Sequence, residues 1–258
     1  MAQSTTTKED KMNDIVIEQL RSLRMSPFAN ALELQRQQPT TFDELGFEER
    51  LTLLLDHELI ERENARVKRL RRQAKFRLDA PPEKLNYGVE RGLIKSLLAP
   101  LISGNYLQLK QNILITGKTG CGKTYLACAL GEQGCRQQYR VRYYRLGRLL
   151  DELIAGRVDG SYLRLMNQLS KIDLLILDDW GLEKMNARQA SELLEVIEDR
   201  YQVNSTIIAS QVPIKEWHQL ISNPTIADAL LDRLVHNSHK IDLDGESQRK
   251  NNLTPSDH

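Results

Sequence analysis

Gly117-Lys-Thr-Gly-Cys-Gly-Lys-Thr124 satisfies the pattern G-x-x-x-x-G-K-[ST] at every fixed position. Its flanks fit as well. Asn112-Ile-Leu-Ile-Thr116 is a short apolar run of the kind that forms a buried parallel strand, and Tyr125-Leu-Ala-Cys-Ala-Leu130 continues as a helix. Strand, glycine-rich loop and helix in that order make an anion cradle. The glycines let the backbone close around a pyrophosphate, and the amides at the positive end of the new helix meet its oxygens. The stretch Gly117, Lys118, Thr119, Gly120, Cys121, Gly122, Lys123 and Thr124 is therefore expected to bind ATP. Lys123 would reach the β- and γ-phosphates, and the Thr124 hydroxyl would ligate Mg²⁺.

A second stretch completes the expectation. Leu174-Leu-Ile-Leu177 runs into Asp178 and Asp179. Carboxylates at the carboxyl end of a buried strand lie on the edge where open parallel sheets bind ligands. Asp178 is expected to hold Mg²⁺, largely through water, and Asp179 to orient and deprotonate an attacking water. Apolar strands often end in aspartate turns, so the pair gains its meaning from following a phosphate loop. Thr206-Ile-Ile-Ala-Ser210-Gln211 ends in polar residues at the same edge. Ser210 or Gln211 could bond the γ-phosphate or the lytic water, and an ordinary strand-to-loop transition reads the same way.

The chain of 258 residues has 36 Lys+Arg against 35 Asp+Glu, so no overall field points to a partner. The charges are segregated, however. Residues 1–61 hold six Lys/Arg and twelve Asp/Glu, while residues 62–77 hold eight Lys/Arg and one acid, Glu63. No apolar stretch approaches the eighteen or so residues of a membrane span and no signal peptide is visible, which reads as a cytoplasmic protein with no membrane partner. The three cysteines, Cys121, Cys128 and Cys135, form no Cys-x-x-Cys pair, so neither a disulfide framework nor a zinc site is expected.

A small all-α N-terminal domain (1–80), an α/β core (81–250) and an unstructured tail (251–258) are expected. Residues 1–11 read as disordered. Helix is expected over Asp14–Gln37 with a break near Pro27, a capping box at Thr41 and Glu44, and a long helix over Glu48–Phe76 with Leu51, Leu55 and Leu59 on one stripe. Asp79-Ala-Pro-Pro82 reads as a linker. Beyond it, a helix at Gly88–Leu101 precedes alternating strands and helices, which predicts a parallel sheet covered on both faces.

Residues 62–77 are too lopsided in charge for intrahelical pairing alone. Arg62, Arg66, Arg69, Arg72 and Lys75 are candidate phosphate contacts, the alternatives being a solvated face or docking onto an acidic neighbour. Arg145, Arg148 and Arg157, with Arg142 and Arg164, form a second basic cluster. Aromatic residues make up 5% of the chain, which disfavours base stacking on single strands and favours backbone binding of duplex DNA.

The ordered set Gly117–Thr124, Leu174–Asp179 followed by Trp180-Gly, Ser205–Pro213, and Leu231-Asp-Arg-Leu-Val-His-Asn resembles the IstB family of transposition ATPases. That family is related to the DnaC helicase loaders within the AAA+ class. The resemblance implies an AAA+ P-loop sheet and an ATPase whose turnover depends on oligomer and DNA. It further implies a homo-oligomer that assembles on duplex target DNA with ATP, recruits or stimulates a cognate transposase, and comes apart on hydrolysis. It makes Arg233 the candidate finger acting in trans on a neighbour's ATP site, places Arg249 near nucleotide, and favours DNA contact by the second basic cluster. The alternatives are a DnaC-like helicase loader and a scaffold that binds ATP without turning it over.

Overall fold

The structure, a computed structural model, describes residues 8–85, 87–88 and 93–244. The expectations for residues 1–7, for residues 89–92 of the helix drawn from Gly88, for Arg249 and for the tail lie outside them. Two compact units divide between Lys68 and Arg69, earlier than the Asp79–Pro82 linker. Leu70 and Ala74 belong to the core of the second unit, and this draws the last turns of the long helix into it.

The first unit holds α1 (Lys8–Ser22), α2 (Ser26–Gln37), α3 (Pro39–Phe42) and most of α4 (Phe47–Ala74). Helix already at Lys8 corrects the reading of residues 8–11 as disordered. Pro27 occupies the first turn of α2, where its missing N–H costs nothing. No capping box forms at Thr41, which lies inside α3. Instead Glu49 Oε2 accepts the Gly46 N–H at 2.8 Å ahead of α4. The expected Leu55–Leu59 stripe is also displaced: those residues are 44% and 60% exposed, whereas Leu54 and Glu58 are buried. Glu58 faces inward because it accepts the Phe28 N–H at 2.8 Å and pairs with Arg62.

In the second unit β1 (Asn112–Gly117), β2 (Val141–Arg145), β3 (Leu174–Trp180), β4 (Ser205–Ser210) and β5 (Ser238–Leu243) form one sheet in the order β2-β3-β4-β1-β5. Every pairing is parallel. Both faces are covered, so the central strands β1, β3 and β4 are buried almost throughout rather than alternating, whereas the edge strands β2 and β5 carry exposed polar residues. Ile113, Ile115 and Ile176 pack on one side with α5 (Lys95–Ile102), α6 (Asn105–Gln108), α7 (Lys123–Arg136) and the end of α4. Leu114, Leu175 and Leu177 pack on the other with α8 (Leu146–Asp159), α9 (Tyr162–Ser170), α10 (Ala187–Arg200) and α11 (Pro224–Val235).

The helix expected from Gly88 starts instead at Lys95, and Gly88 and Leu93 exchange backbone hydrogen bonds of 3.0 and 3.2 Å as an antiparallel bridge. A capping box is formed at α10, where Asn186 and Gln189 satisfy each other's backbone N–H. Among the described residues no helix is long and apolar enough to cross a membrane.

Candidate nucleotide site

β1 ends at Gly117 and α7 begins at Lys123, so the phosphate loop is the turn between them. Three of its glycines have positive φ: Gly117 at 144°, Gly120 at 87° and Gly122 at 100°. Gly117 has no room for a side chain, since a Cβ would stand 2.3 Å from the Leu243 carbonyl oxygen and 2.9 Å from Cys121 Sγ. Lys123 folds back under the loop and donates to the carbonyls of Gly117 and Lys118, both at 2.7 Å. A loop drawn tight over an ammonium group turns its amides and positive charge toward one cleft, as an anion site requires.

The order β3-β4-β1 separates the phosphate loop from the two aspartates by one strand, and the helix start spans that gap. Thr124 Oγ1 donates to Asp178 Oδ2 at 2.8 Å. Asp178 is buried, and its Oδ2 also accepts from the Tyr143 hydroxyl at 2.7 Å while Oδ1 accepts the Asp179 N–H at 2.8 Å. Asp179 has a left-handed φ of 60°, and the register slips between Leu177 and Trp180. Successive carboxylates therefore serve one cleft instead of opposite faces of the sheet. Arg145 Nε contacts Asp179 Oδ2 at 2.6 Å, and Arg77 Nη1 lies 3.6 Å from the same oxygen and 3.9 Å from Asp178 Oδ2.

The structure separates Ser210 from Gln211. Ser210 is buried; its hydroxyl donates to the Trp180 carbonyl at 2.8 Å and accepts the Val212 N–H at 3.0 Å, joining the ends of β3 and β4. Gln211 lines the cleft and accepts from the Thr119 hydroxyl at 2.8 Å. The cleft holds about 370 Å³ among Arg77, Lys123, Thr124, Asp178, Asp179 and Gln211. The Thr124 hydroxyl and Asp178 carboxylate are the adjacent hard oxygens that Mg²⁺ would use. A few protein oxygens suffice there, because Mg²⁺ at phosphates keeps much of its water. Trp180 packs its ring 5.0 Å from Trp217 and takes no part in the cleft. Burial pushes the thiol of Cys128 up to about 11 and that of Cys135 up to about 12, so both remain protonated packing groups.

Arg233 stands elsewhere. It pairs with Glu198 at 2.7 Å and donates to the Ala229 carbonyl at 2.7 Å. Its own carbonyl accepts from Asn112 Nδ2, and Asn112 opens β1 while the phosphate loop closes it. A strand of this length spans roughly 17 Å, so Arg233 lies on the amino edge of the sheet, away from the chain's own cleft.

The basic residues divide by what they already touch. In the first unit Arg62 pairs with Glu58, and Arg66 is exposed. In the second, Arg145 is held by Asp179; Arg157 pairs with Glu192 and Glu195 and stacks 3.5 Å over the Tyr162 ring. Arg69, Arg72, Lys75 and Arg148 are exposed and have no partner among the described residues. Sequence reasoning passed over Arg77 and Tyr143. Neither belongs to a contiguous motif, and only the pairing of β2 with β3 and the path of the chain after α4 bring them to the aspartates.

An all-parallel sheet of this order, with the phosphate loop and the aspartate pair on its carboxyl edge, defines an ATP-binding domain of the AAA+ class. The fold is shared with the crystal structure of the DnaC helicase loader (TM-score 0.54, 18% identity, 64% of this chain and 96% of that one). It is shared too with AMPPCP-bound DnaA from Aquifex aeolicus (TM-score 0.55, 22% identity, 68% of this chain and 54% of that one). At such identities the likeness is one of fold. The chain belongs to the IstB-like ATP binding protein family, which it matches over residues 18–256. It is 48% identical over 209 residues to the insertion sequence ATP-binding protein y4pL of Sinorhizobium fredii, covering 81% of this chain and 85% of that protein. It is 33% identical over 232 residues to ATP-binding protein Rv3427c in insertion sequence of Mycobacterium tuberculosis, covering 89% and 92%.

Proposed function

We propose that the chain is a Mg²⁺-dependent ATPase that assembles with ATP on duplex target DNA, engages the transposase of its insertion sequence, and is released when ATP is hydrolysed. The observation that carries this reading is the placement of functional groups on two opposite edges. Lys123, Thr124, Asp178 and Asp179 meet at the carboxyl edge, while Arg233 stands at the amino edge, a separation that supports its acting on another subunit's site. The names of the relatives support the insertion-sequence setting.

In this reading Lys123 and the loop amides bind the phosphates, and Thr124 and Asp178 hold Mg²⁺, which neutralises charge developing on the transferred group. Asp179 orients the attacking water and takes its proton. Gln211, bonded to Thr119, is placed to contact the γ-phosphate. Ser210 is a structural tie between β3 and β4. Arg233 of one subunit stabilises the transition state in the next, so turnover follows assembly. Exposed Arg69, Arg72, Lys75 and Arg148 supply phosphate contacts that carry no sequence information, as a factor handling many target sites needs.

Duplex binding measured with ATP, ADP and a non-hydrolysable analogue tests the reading, together with Lys123→Ala and Asp179→Asn. Wild type should bind duplex with ATP or the analogue, and Lys123→Ala should not. Asp179→Asn should bind and stay bound, with turnover lowered by about 10²–10⁴-fold as expected for loss of a general base. Nucleotide-independent duplex binding, or preference for single strands with capture of a helicase in place of a transposase, would sink it.

A further inference from the structure

The oxygen of Asp178 that faces Thr124 has a second donor, and a cation stands near the same oxygen. Tyr143 is the middle residue of β2 and pairs in register with Ile176 on β3. This sends its ring up the sheet face under α7, and the hydroxyl ends 2.7 Å from Asp178 Oδ2. In that contact the hydroxyl donates and the carboxylate oxygen accepts. Arg77 supplies the cation. Its Nη1 lies 3.9 Å from the same Asp178 oxygen that accepts from Tyr143, and 3.6 Å from Asp179 Oδ2.

Arg77 is rigidly mounted even though its own side chain is 41% exposed. Just before it, Arg71 pairs with buried Glu132 of α7 at 2.6 Å. Phe76 packs so closely on Gly131 of α7 that a Cβ there would stand 2.6 Å from its ring. The turn carrying Arg77 is thus fixed to the helix that begins at the phosphate loop.

We propose that Tyr143 and Arg77 are positioning residues for Asp178: the hydroxyl holds Oδ2 of the carboxylate beside Thr124 on the Mg²⁺ side of the cleft, and the guanidinium draws on the same oxygen. This rests on the Mg²⁺-dependent reading of the site given above. Outer-shell partners of this kind set metal affinity without touching the metal. Tyr143 stands behind the carboxylate and does not line the cleft, whereas Arg77 does.

The test is binding of a fluorescent ATP analogue as free Mg²⁺ is titrated, with wild type, Tyr143→Phe, Arg77→Lys and the double variant. Tyr143→Phe should raise the half-saturating Mg²⁺ about tenfold, in line with loss of an outer-shell partner, and leave affinity measured in chelator unchanged. Arg77→Lys keeps the charge and loses the planar fork; it should raise the midpoint about threefold, the size of one hydrogen bond. Because both act on the same Asp178 oxygen, the double variant should raise the midpoint further than Tyr143→Phe alone. A wild-type midpoint in Tyr143→Phe, or a double variant closer to wild type than Tyr143→Phe, would overturn the assignment. Should Tyr143→Phe not fold, an unmoved midpoint in Arg77→Lys overturns it equally well. Wild type that binds nucleotide with no response to Mg²⁺ would remove both the assignment and the functional reading beneath it.

Discussion

Arg145 Nε stands 2.6 Å from Asp179 Oδ2. Arg145 is the last residue of β2 and pairs in register with Asp178, so its side chain crosses to the carboxylate one position further along β3. The guanidinium that composition alone places in a basic cluster is thereby one wall of the nucleotide cleft. We infer that this cation sets which oxygen of Asp179 faces the cleft and so serves the ATP site.

Arg145→Gln should therefore lower turnover about tenfold, the scale of losing an orienting partner, and leave duplex affinity and its salt dependence unchanged. Phosphate release and duplex binding at several salt concentrations check this together. A salt slope lowered by about one, as removal of one phosphate-binding cation gives, would return Arg145 to the DNA surface.

Gly117→Ala should destabilise the second unit by about 2 kcal/mol, within the range for strained backbone and steric conflict at one residue. The added Cβ would meet the Leu243 carbonyl oxygen at 2.3 Å, and a backbone atom held in β5 cannot step aside as a flexible side chain could. Thermal unfolding reads the loss. A melting temperature equal to wild type would show that β5 yields at this point.

Placement of Arg233 on the amino edge leads to a mixing experiment. Arg233→Ala alone should reduce turnover by about 10³-fold or more, as for other trans-acting arginines, while binding ATP normally. Asp179→Asn alone should bind ATP and assemble but hardly hydrolyse. Mixed, the two should regain activity, because Asp179→Asn subunits still offer Arg233 to intact cleft residues of Arg233→Ala subunits. Mixtures no more active than the separate variants would exclude action in trans.

How much of this was legible in the chain depends on how local each feature is. The phosphate loop sits in eight consecutive residues whose glycines and lysine act through their own backbone turn, so the motif and its flanking strand and helix can be read directly. A parallel sheet covered on both faces is legible in short unbroken apolar runs such as Leu174–Leu177 alternating with helices, whereas its AAA+ class comes from the family resemblance. Arg77 and Tyr143 are not local in this sense. They reach Asp178 through strand pairing and through the packing of α4 on α7, which no short window encodes. Arg145 and Arg157 show the complementary limit: a positive charge in sequence does not say whether its partner is a phosphate outside or a carboxylate inside. Leu55 and Leu59 erred by one helical position against Leu54 and Glu58, because the buried stripe of α4 accommodates a glutamate that is satisfied by the Phe28 N–H and Arg62.

The exposed turn of α4 in the second unit supplies the last prediction. Arg71 on this turn is committed to Glu132 and Asp79, whereas Arg69, Arg72 and Lys75 are exposed and unpaired among the described residues. The end of α4 and the turn after it thus separate a structural arginine from three exposed cations, Arg69 and Arg72 on the helix and Lys75 just beyond it. Arg69→Glu with Arg72→Glu should weaken duplex binding at all sequences alike and lower the salt slope by about two, one for each phosphate left without its cation. ATP binding should be unchanged, since neither residue lines the cleft. Arg71→Gln is the contrasting variant. It should lower the melting temperature by leaving buried Glu132 with Arg136 as its one remaining cation among the described residues, with the salt slope kept near wild type. A salt slope unaltered by the double reversal would assign this turn to contact with another protein subunit, where acidic surface takes the place of the DNA backbone.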